Sequence, residues 1–367
     1  MVVNKIKRIG ILTGGGDCPG LNPVIRAVVR TAILEYGWEV VGIRNGYKGM
    51  YNGDFIELTL DSISGILHEG GTILYSSNKD NLFDYQVEVD GKLVNKDVSD
   101  VGMENIKKMG IDVMFIVGGD GTLTSARDFA RKGVKVIAIP KTIDNDLAST
   151  DTTFGFSTAV DVATEALDRL HTTASSHHRI MVLEVMGRYA GWIALHSGIA
   201  GGADVILLPE IPYDIRNVAR TIEERKARGK NFSIVVVGEG AKEIGGDITV
   251  REIIKDSPDP IRLGGIGIKV ATQLEKLCGN ETRATILGHL QRGGSPSSSD
   301  RILSTRYGVE AVKLAASGKF GNMVTLKGDH MSYDSLENVI GRKSKLVNPN
   351  GELVEAAKSM GIGFGDE

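Results

Sequence analysis

A short apolar strand that stops on glycines, gives way to a helix and is followed at once by another strand leaves few folds open to a chain. Residues 115 to 146 carry that unit. Phe115-Ile-Val-Gly-Gly-Asp-Gly-Thr122 continues a buried strand, Val113 to Val117, and ends where an anionic group can approach bare backbone. Helical spacing runs from Thr122 to Lys132. A second strand, Val134 to Ile139, then leads into Pro140-Lys-Thr-Ile-Asp-Asn-Asp146. In open parallel sheets ligands collect beyond the carboxyl ends of the strands, where both motifs fall. The expectation is a glycine phosphate cradle facing a carboxylate cluster across one crevice.

The same grammar repeats on both sides of this unit. A strand from Lys7 to Thr13 enters Gly14-Gly-Gly-Asp-Cys-Pro-Gly-Leu-Asn22 and then a helix from Pro23 to Tyr36, whose first N–H groups suit phosphate. Its glycines match neither the dinucleotide fingerprint nor Walker A, and alone the turn also fits a tight connection without a ligand. A strand spans Val40 to Asn45, a loop covers Gly46 to Tyr51, residues 84 to 97 read as a hairpin, and Met103 to Met109 is helical. Beyond Thr153-Phe-Gly-Phe-Ser-Thr158 a long helix begins. Strands at Ile180 to Val185, Val205 to Leu208 and Ser233 to Val237 alternate with helices at Trp192 to Ile199, Ile215 to Ala227 and Gly267 to Leu277. Gly240 to Leu263 reads as an exposed loop, Thr282 to Gly294 as a strand ending in glycines, and Ser299 to Ser317 as a helix returning to the first domain.

The fold class that follows is α/β, with two doubly wound Rossmann-like domains and the active site in the crevice between them. The larger domain takes residues 1–154 plus 291–345 and the smaller takes 155–290. Residues 346–367 form a C-terminal tail without a readable motif. At 367 residues the chain is long enough for two cores. Its net charge of -3, with 24% charged residues of mixed sign, gives no electrostatic case for nucleic acid or a membrane surface as partner. Cys18 and Cys278 lie far apart outside any CxxC spacing, which argues against a disulfide frame or zinc site and for a cytoplasmic protein. No run reaches the roughly 18 uninterrupted apolar residues of a membrane helix.

Three classes of residue bear on chemistry. Asp120, between Gly119 and Gly121, can reach a magnesium ion on phosphates lying along the same backbone. Asp144 and Asp146 are close enough for one to act as a base while the other tunes it; in isolation the pair also fits a turn that bonds its own backbone. Arg179, Arg188, Arg283, His289 and Arg292 fall within or just after strands and glycine turns, where idle surface charge is ill placed. Planar guanidinium forks recognise phosphate. Phosphoryl transfer needs a positioned donor, neutralised charge and a base for the acceptor hydroxyl. The residues thus point to a magnesium-dependent kinase for a small phosphorylated acceptor.

The chain also resembles the 6-phosphofructokinase family. The resemblance runs in order through Gly14 to Asn22, Gly118 to Thr122, Pro140 to Asp146, Met186-Gly-Arg-Tyr-Ala-Gly191 and Leu287-Gly-His-Leu-Gln-Arg-Gly-Gly-Ser-Pro296. It implies a glycolytic enzyme that moves a phosphoryl group onto the C1 hydroxyl of fructose 6-phosphate, and a homo-oligomer, dimer or tetramer, with shared active sites. Carried over by position, Asp144 would accept the hydroxyl proton, Asp120 would bind magnesium, and Thr142 and Asp146 would align the reacting groups. Arg188 would stabilise the transferring phosphoryl group. Met186, Gly187 and Glu239 would hold the sugar; His289 and Arg292 would grip its phosphate with Arg179 and Arg283 from a neighbouring subunit. Gly15, Gly16, Asn78, Lys79 and Gly119 to Thr122 would line the donor site.

Departures from the family patterns concern the donor. Gly121 resembles ATP users and Lys141 resembles pyrophosphate users. A carboxylate at 121 would add bulk and charge where the α-phosphate of ATP passes, whereas a lysine at 141 does not exclude a nucleotide. ATP is therefore the expected donor and pyrophosphate the alternative. Asn78 stands where bacterial ATP enzymes carry an arginine, with Lys79 as the nearby cation. The family's effector positions are partly kept, in Arg26, Arg30, Arg228 and Lys230, and partly changed, in Leu60, His171 and Asp204. A remoter alternative is a non-catalytic sugar-phosphate sensor, against which Asp120, Thr142, Asp144 and Arg188 argue together.

Overall fold

A computed structural model describes residues 6–253 and 261–367. The chain divides into two compact units. The first comprises Met1–Thr142, Leu147–Gly155 and Arg292–Ser344, and the second Ile143–Asp146, Phe156–Gln291 and Lys345–Glu367. In chain order the first elements are β1 (Arg8–Thr13), α1 (Leu21–Tyr36), β2 (Glu39–Ile43), α2 (Gly46–Asn52), β3 (Phe55–Leu58), β4 (Tyr85–Val89) and β5 (Lys92–Lys96). Then come α3 (Ser99–Lys108), β6 (Val113–Gly118), α4 (Asp120–Arg131) and β7 (Val136–Pro140). The second unit follows with α5 (Phe156–His177), β8 (Ile180–Val185), α6 (Trp192–Ala200), β9 (Val205–Leu207), α7 (Ile215–Ala227) and β10 (Ser233–Gly238). It continues through β11 (Val250–Ile253), β12 (Ile261–Leu263), α8 (Ile266–Cys278) and β13 (Thr282–Ile286). The remainder is α9 (Ser298–Ala316), β14 (Asn322–Lys327), β15 (His330–Ser335), α10 (Leu336–Gly341) and α11 (Glu352–Ser359).

The first unit is built on one sheet in the order β15-β14-β7-β6-β1-β2-β3. From β14 to β2 the strands run parallel, and β15 and β3 pair antiparallel at the two edges. Every residue of β6 is buried, as a central parallel strand covered by helices on both faces requires. Phe115 is fully buried, and on one face Ile116, Leu123, Phe129 and Ala138 share a core cluster with Tyr47 and Met50.

One expected loop is a helix. Gly46 to Tyr51 lies in α2, because Asn45 turns the chain through a left-handed conformation (φ 59°) and buries Tyr47 and Met50. Tyr47 stacks on Phe129 at 5.7 Å, and its hydroxyl donates to the Thr122 carbonyl at 2.8 Å. Two glycines in the segment argue for a loop by propensity, yet a Cβ at Gly49 would lie 1.6 Å from the Arg44 carbonyl oxygen, so close packing requires that glycine.

The second unit has a parallel four-stranded sheet, β13-β8-β10-β9. Its core joins Ile180, Val182, Val235 and Val237 to Val218 and Ile222 of α7 and Val270 and Leu274 of α8. The expected exposed loop at Gly240 to Leu263 lies partly outside the described residues; its described flanks pair antiparallel as β11 and β12. The C-terminal residues pack on this unit, with Phe364 buried and Gly363 bridging in parallel to Val205 at the sheet edge. Among the described residues no helix is long and apolar enough to cross a membrane. Cys18 and Cys278 are free and buried.

Candidate active site

The strand order of the first unit reverses between β1 and β6, and both glycine turns leave the carboxyl ends of these neighbours. Backbone bonds lock the turns together: Gly14 N–H donates to the Val117 carbonyl and Lys141 N–H to the Gly118 carbonyl, each at 2.9 Å. Thr122 fills the space between them. A Cβ at Gly118 would come 2.3 Å from the Thr122 Cβ, and one at Gly14 would come 2.7 Å from its Cγ2. Residues 72 to 78 form a further layer. Thr13 Oγ1 donates to the Tyr75 carbonyl at 2.7 Å, Gly15 N–H to the Ser77 carbonyl at 2.9 Å, and the Ser76 hydroxyl to the Gly15 carbonyl. Asn78 and Lys79 are exposed at the end of this layer.

Asp120 opens α4 with an exposed side chain, at a helix terminus whose free N–H groups favour anions. A Cβ at Gly121 meets nothing within 4 Å, so packing does not demand the glycine and a side chain there would enter open space. Lys141 is only 4% exposed, and its Nζ donates to the Gly16 carbonyl beside Gly15. The Arg292 guanidinium also reaches this turn, with Nη1 2.5 Å from the position of a Gly16 Cβ. Two cations thus stand against bare backbone, which is an arrangement for phosphate. The exposed Asp120 carboxylate beside such a cradle is a set that fits magnesium, which takes one or two carboxylates plus phosphate oxygens. A cavity of about 600 Å³ in the same unit lies elsewhere, among Met103, Met114, Lys132 and Lys135 at the amino ends of β6 and β7.

In the second unit β8 lies between β13 and β10, so the segments after these strands emerge side by side. They carry Met186, Gly187 and Arg188 after β8, Glu239 after β10, and His289 after β13. Arg188 N–H donates to Glu239 Oε1 at 3.0 Å, and Met186 N–H donates to Oε1 of the buried Gln291 at 3.3 Å. Arg188 adopts φ 51°, a left-handed conformation that costs about 1 kcal/mol or more in a non-glycine residue. A Cβ at Gly240 would lie 1.9 Å from the Arg188 carbonyl oxygen, so the Arg188 turn rests directly on glycine backbone.

Asp144 is 8% exposed and precedes Asn145, itself left-handed at φ 52°. Burial, aided by the nearby Asp144 and Glu184 carboxylates, pushes the Glu239 carboxyl up to about 7, against the pull of the Arg188 and Gly187 N–H groups. Glu184 is buried on β8 and caps α8, accepting from Gly265 N–H at 3.0 Å and Gly267 N–H at 2.7 Å. At the ends of the 142–146 turn, the Thr142 carbonyl accepts from Thr153 Oγ1 and the Asp146 carbonyl from Lys345 N–H, each at 2.7 Å.

Arg179 and Arg283 sit apart from these groups. Arg179 directly precedes β8 and Arg283 pairs with Met181, so both lie at the amino end of the sheet whose carboxyl end bears Met186 to Arg188 and Glu239. The six steps from Arg179 to Val185 span about 20 Å at about 3.3 Å per residue. Both guanidinium groups bond Glu281, Arg179 at 2.8 Å, and they hold its carboxyl below the usual range. Sequence reasoning missed Gln291, Glu184 and Lys345, whose partners are distant in the chain.

The family model described as phosphofructokinase matches residues 8–315. A Clostridium perfringens protein named ATP-dependent 6-phosphofructokinase 2 is 68% identical over 367 residues, the whole of both chains. A Streptomyces coelicolor protein named pyrophosphate–fructose 6-phosphate 1-phosphotransferase is 50% identical over 322 residues, 88% of this chain and 91% of its own. Among solved structures, the phosphofructokinase of Saccharomyces cerevisiae matches with a TM-score of 0.78 and 30% identity, over 91% of this chain and 45% of that longer one.

Proposed function

The chain belongs to the phosphofructokinase family, and from that premise we propose that it transfers a phosphoryl group from ATP to the C1 hydroxyl of fructose 6-phosphate, giving fructose 1,6-bisphosphate. The observation that carries this reading is the full-length 68% identity to a protein named an ATP-dependent 6-phosphofructokinase. Gly121 supports ATP, because the space above it is open to a nucleotide's phosphate chain.

The donor phosphates lie beside Gly15 and on the N–H groups of Gly16 and Gly119 to Thr122, with Asn78 and Lys79 following Ser77, whose carbonyl takes the Gly15 N–H, and the Lys141 cation behind the turn. Magnesium, held by Asp120 and phosphate oxygens, supplies positive charge against the phosphates when bound. Met186, Gly187 and Glu239 hold the sugar, and His289 and Arg292 take its 6-phosphate. Asp144 accepts the C1 hydroxyl proton as that oxygen bonds to phosphorus and the bond to the donor's leaving phosphate breaks. Thr142 and Asp146 align the reacting groups, and Arg188 balances charge on the phosphoryl group in flight.

Arg179 and Arg283 serve a neighbouring copy in a homo-oligomer, a dimer or tetramer. Their position toward the amino end of the sheet, away from the carboxyl end that Met186 to Arg188 follow, supports that role, since one small sugar phosphate cannot reach both ends of a strand. β13 is also a sheet edge with Ile286 and Leu290 exposed beside it, a surface that a partner copy would cover. Two free thiols and these substrates fit the cytoplasm.

Pyrophosphate is the second reading, favoured by Lys141 against the glycine turn and by the Streptomyces coelicolor relative. Initial rates with fructose 6-phosphate and either ATP or pyrophosphate test the two. Faster turnover with ATP is expected; activity confined to pyrophosphate would overturn the donor assignment.

A further inference from the structure

The turn Asp144-Asn145-Asp146 is held by a residue nearly two hundred positions away. Lys345 Nζ donates to Asn145 Oδ1 at 2.9 Å, and Lys345 N–H donates to the Asp146 carbonyl at 2.7 Å. The same residue is fixed from its other side, where Trp192 Nε1 donates to the Lys345 carbonyl at 2.8 Å and the ammonium lies 5.7 Å from the centre of the Trp192 ring. Two residues on, Val347 N–H donates at 2.8 Å to Glu210, and Glu210 also accepts the N–H of Gly191, the neighbour of Trp192. The far end of the segment is anchored as well: Ile206 N–H donates to the Gly363 carbonyl, Gly363 N–H to the Asp204 carbonyl, and Phe364 is buried. Residues 345 to 367 therefore form a strut between the β9 edge and the turn that bears Asp144, all within the second unit.

We propose that Lys345 is a positioning residue for phosphoryl transfer, holding Asn145 in its left-handed conformation so that Asp144 and Asp146 keep their directions. The left-handed backbone at Asn145 is a sparsely populated state that persists when its surroundings over-determine it, and Lys345 bonds both the Asn145 side chain and the following peptide. Loss of the Nζ bond frees the turn to sample other conformations. A base displaced by a fraction of an ångström is still present but fails to meet the acceptor hydroxyl, so turnover suffers and sugar binding does not.

This inference rests on the assignment of Asp144 as the base. Full-length Lys345→Met keeps the backbone bonds and removes the ammonium; Lys345→Arg restores a donor. In assays with ATP and fructose 6-phosphate, kcat of Lys345→Met should fall about tenfold with KM for the sugar within about twofold, and Lys345→Arg should regain much of the loss. Unchanged kcat in Lys345→Met overturns the proposal. A loss of kcat that follows a lowered Tm, or that arginine does not relieve, also overturns it, because the strut would then only stabilise the fold. Asp144→Asn in the same assay separates the two readings. If that variant stays fully active the base assignment itself has failed, whereas an inactive Asp144→Asn beside a fully active Lys345→Met sinks the Lys345 proposal alone.

Discussion

Between β1 and β6 the glycine turns present bare backbone, while in the second unit side chains take over, and the buried carboxylates Asp144 and Glu184 lie near Glu239. On the first side Gly14, Gly118 and Thr122 set the shape, and the charge comes from Lys141 and the α4 terminus. On the second side Asp144, Glu184 and Glu239 crowd one region, and the Arg188 turn is strained. A phosphate brings its own charge and asks for N–H groups and cations; a hydroxyl must be deprotonated and asks for a carboxylate kept from water. The donor side should accordingly answer to added bulk, and the acceptor side to changes in charge.

The sharpest break in that contrast comes from Asp144→Asn. With Asp144 as the proposed base, the amide keeps the shape of the carboxyl but cannot take the acceptor hydroxyl's proton, so kcat should drop by about a hundredfold or more while fructose 6-phosphate still binds. Steady-state kinetics with a direct binding measurement reads both, and a change confined to binding would erase the distinction drawn between the two sides. Gly121→Asp is the complementary change. Its side chain enters open space, so the fold should hold and Tm should stay within about 2 °C. Its bulk and negative charge over the α4 terminus should lower kcat/KM for ATP by about tenfold or more, a difference of about 1.4 kcal/mol, and spare any turnover with pyrophosphate. Equal loss with both donors would mean that residue 121 shapes the fold and not the choice of donor.

What the sequence made legible follows the same division. The glycine turns and Asp144 to Asp146 each concentrate unusual residues in a few consecutive positions, so periodicity and local chemistry find them. Gly46 to Tyr51 misled because Gly49 lowers helix propensity, and only the approach of Arg44 backbone explains why a glycine stands within α2. β15 was silent for another reason: as an antiparallel edge strand, His330-Met-Ser-Tyr-Asp-Ser335 is half-exposed and polar, without the apolar run of a central strand. The supports of the acceptor side were hidden altogether. Gln291 reaches Met186 across 105 positions and Lys345 reaches Asn145 across 200, separations at which no local pattern exists.

The smallest expected effect is also the one most specific to the acceptor side. Burial above all pushes the Glu239 carboxyl up from its ordinary 4.5 to about 7. The folded state therefore holds a proton that the unfolded state releases. Stability attached to this group is full below about pH 4.5 and is lost as pH rises through about 7. Glutamine has no proton to lose and can still accept from Arg188 N–H. Glu239→Gln should thus melt above the native protein at pH 8, with the gap narrowing toward pH 5. Its kcat/KM for fructose 6-phosphate should lose whatever acid limb the native profile shows near pH 7, because only the carboxylate form is a strong acceptor for both the Arg188 N–H and a sugar hydroxyl. Donor-side Lys141→Met is the control: by the same contrast it should weaken phosphate binding and leave that limb in place. A limb that persists in Glu239→Gln and vanishes in Lys141→Met would assign the titration to the donor side and reverse the comparison.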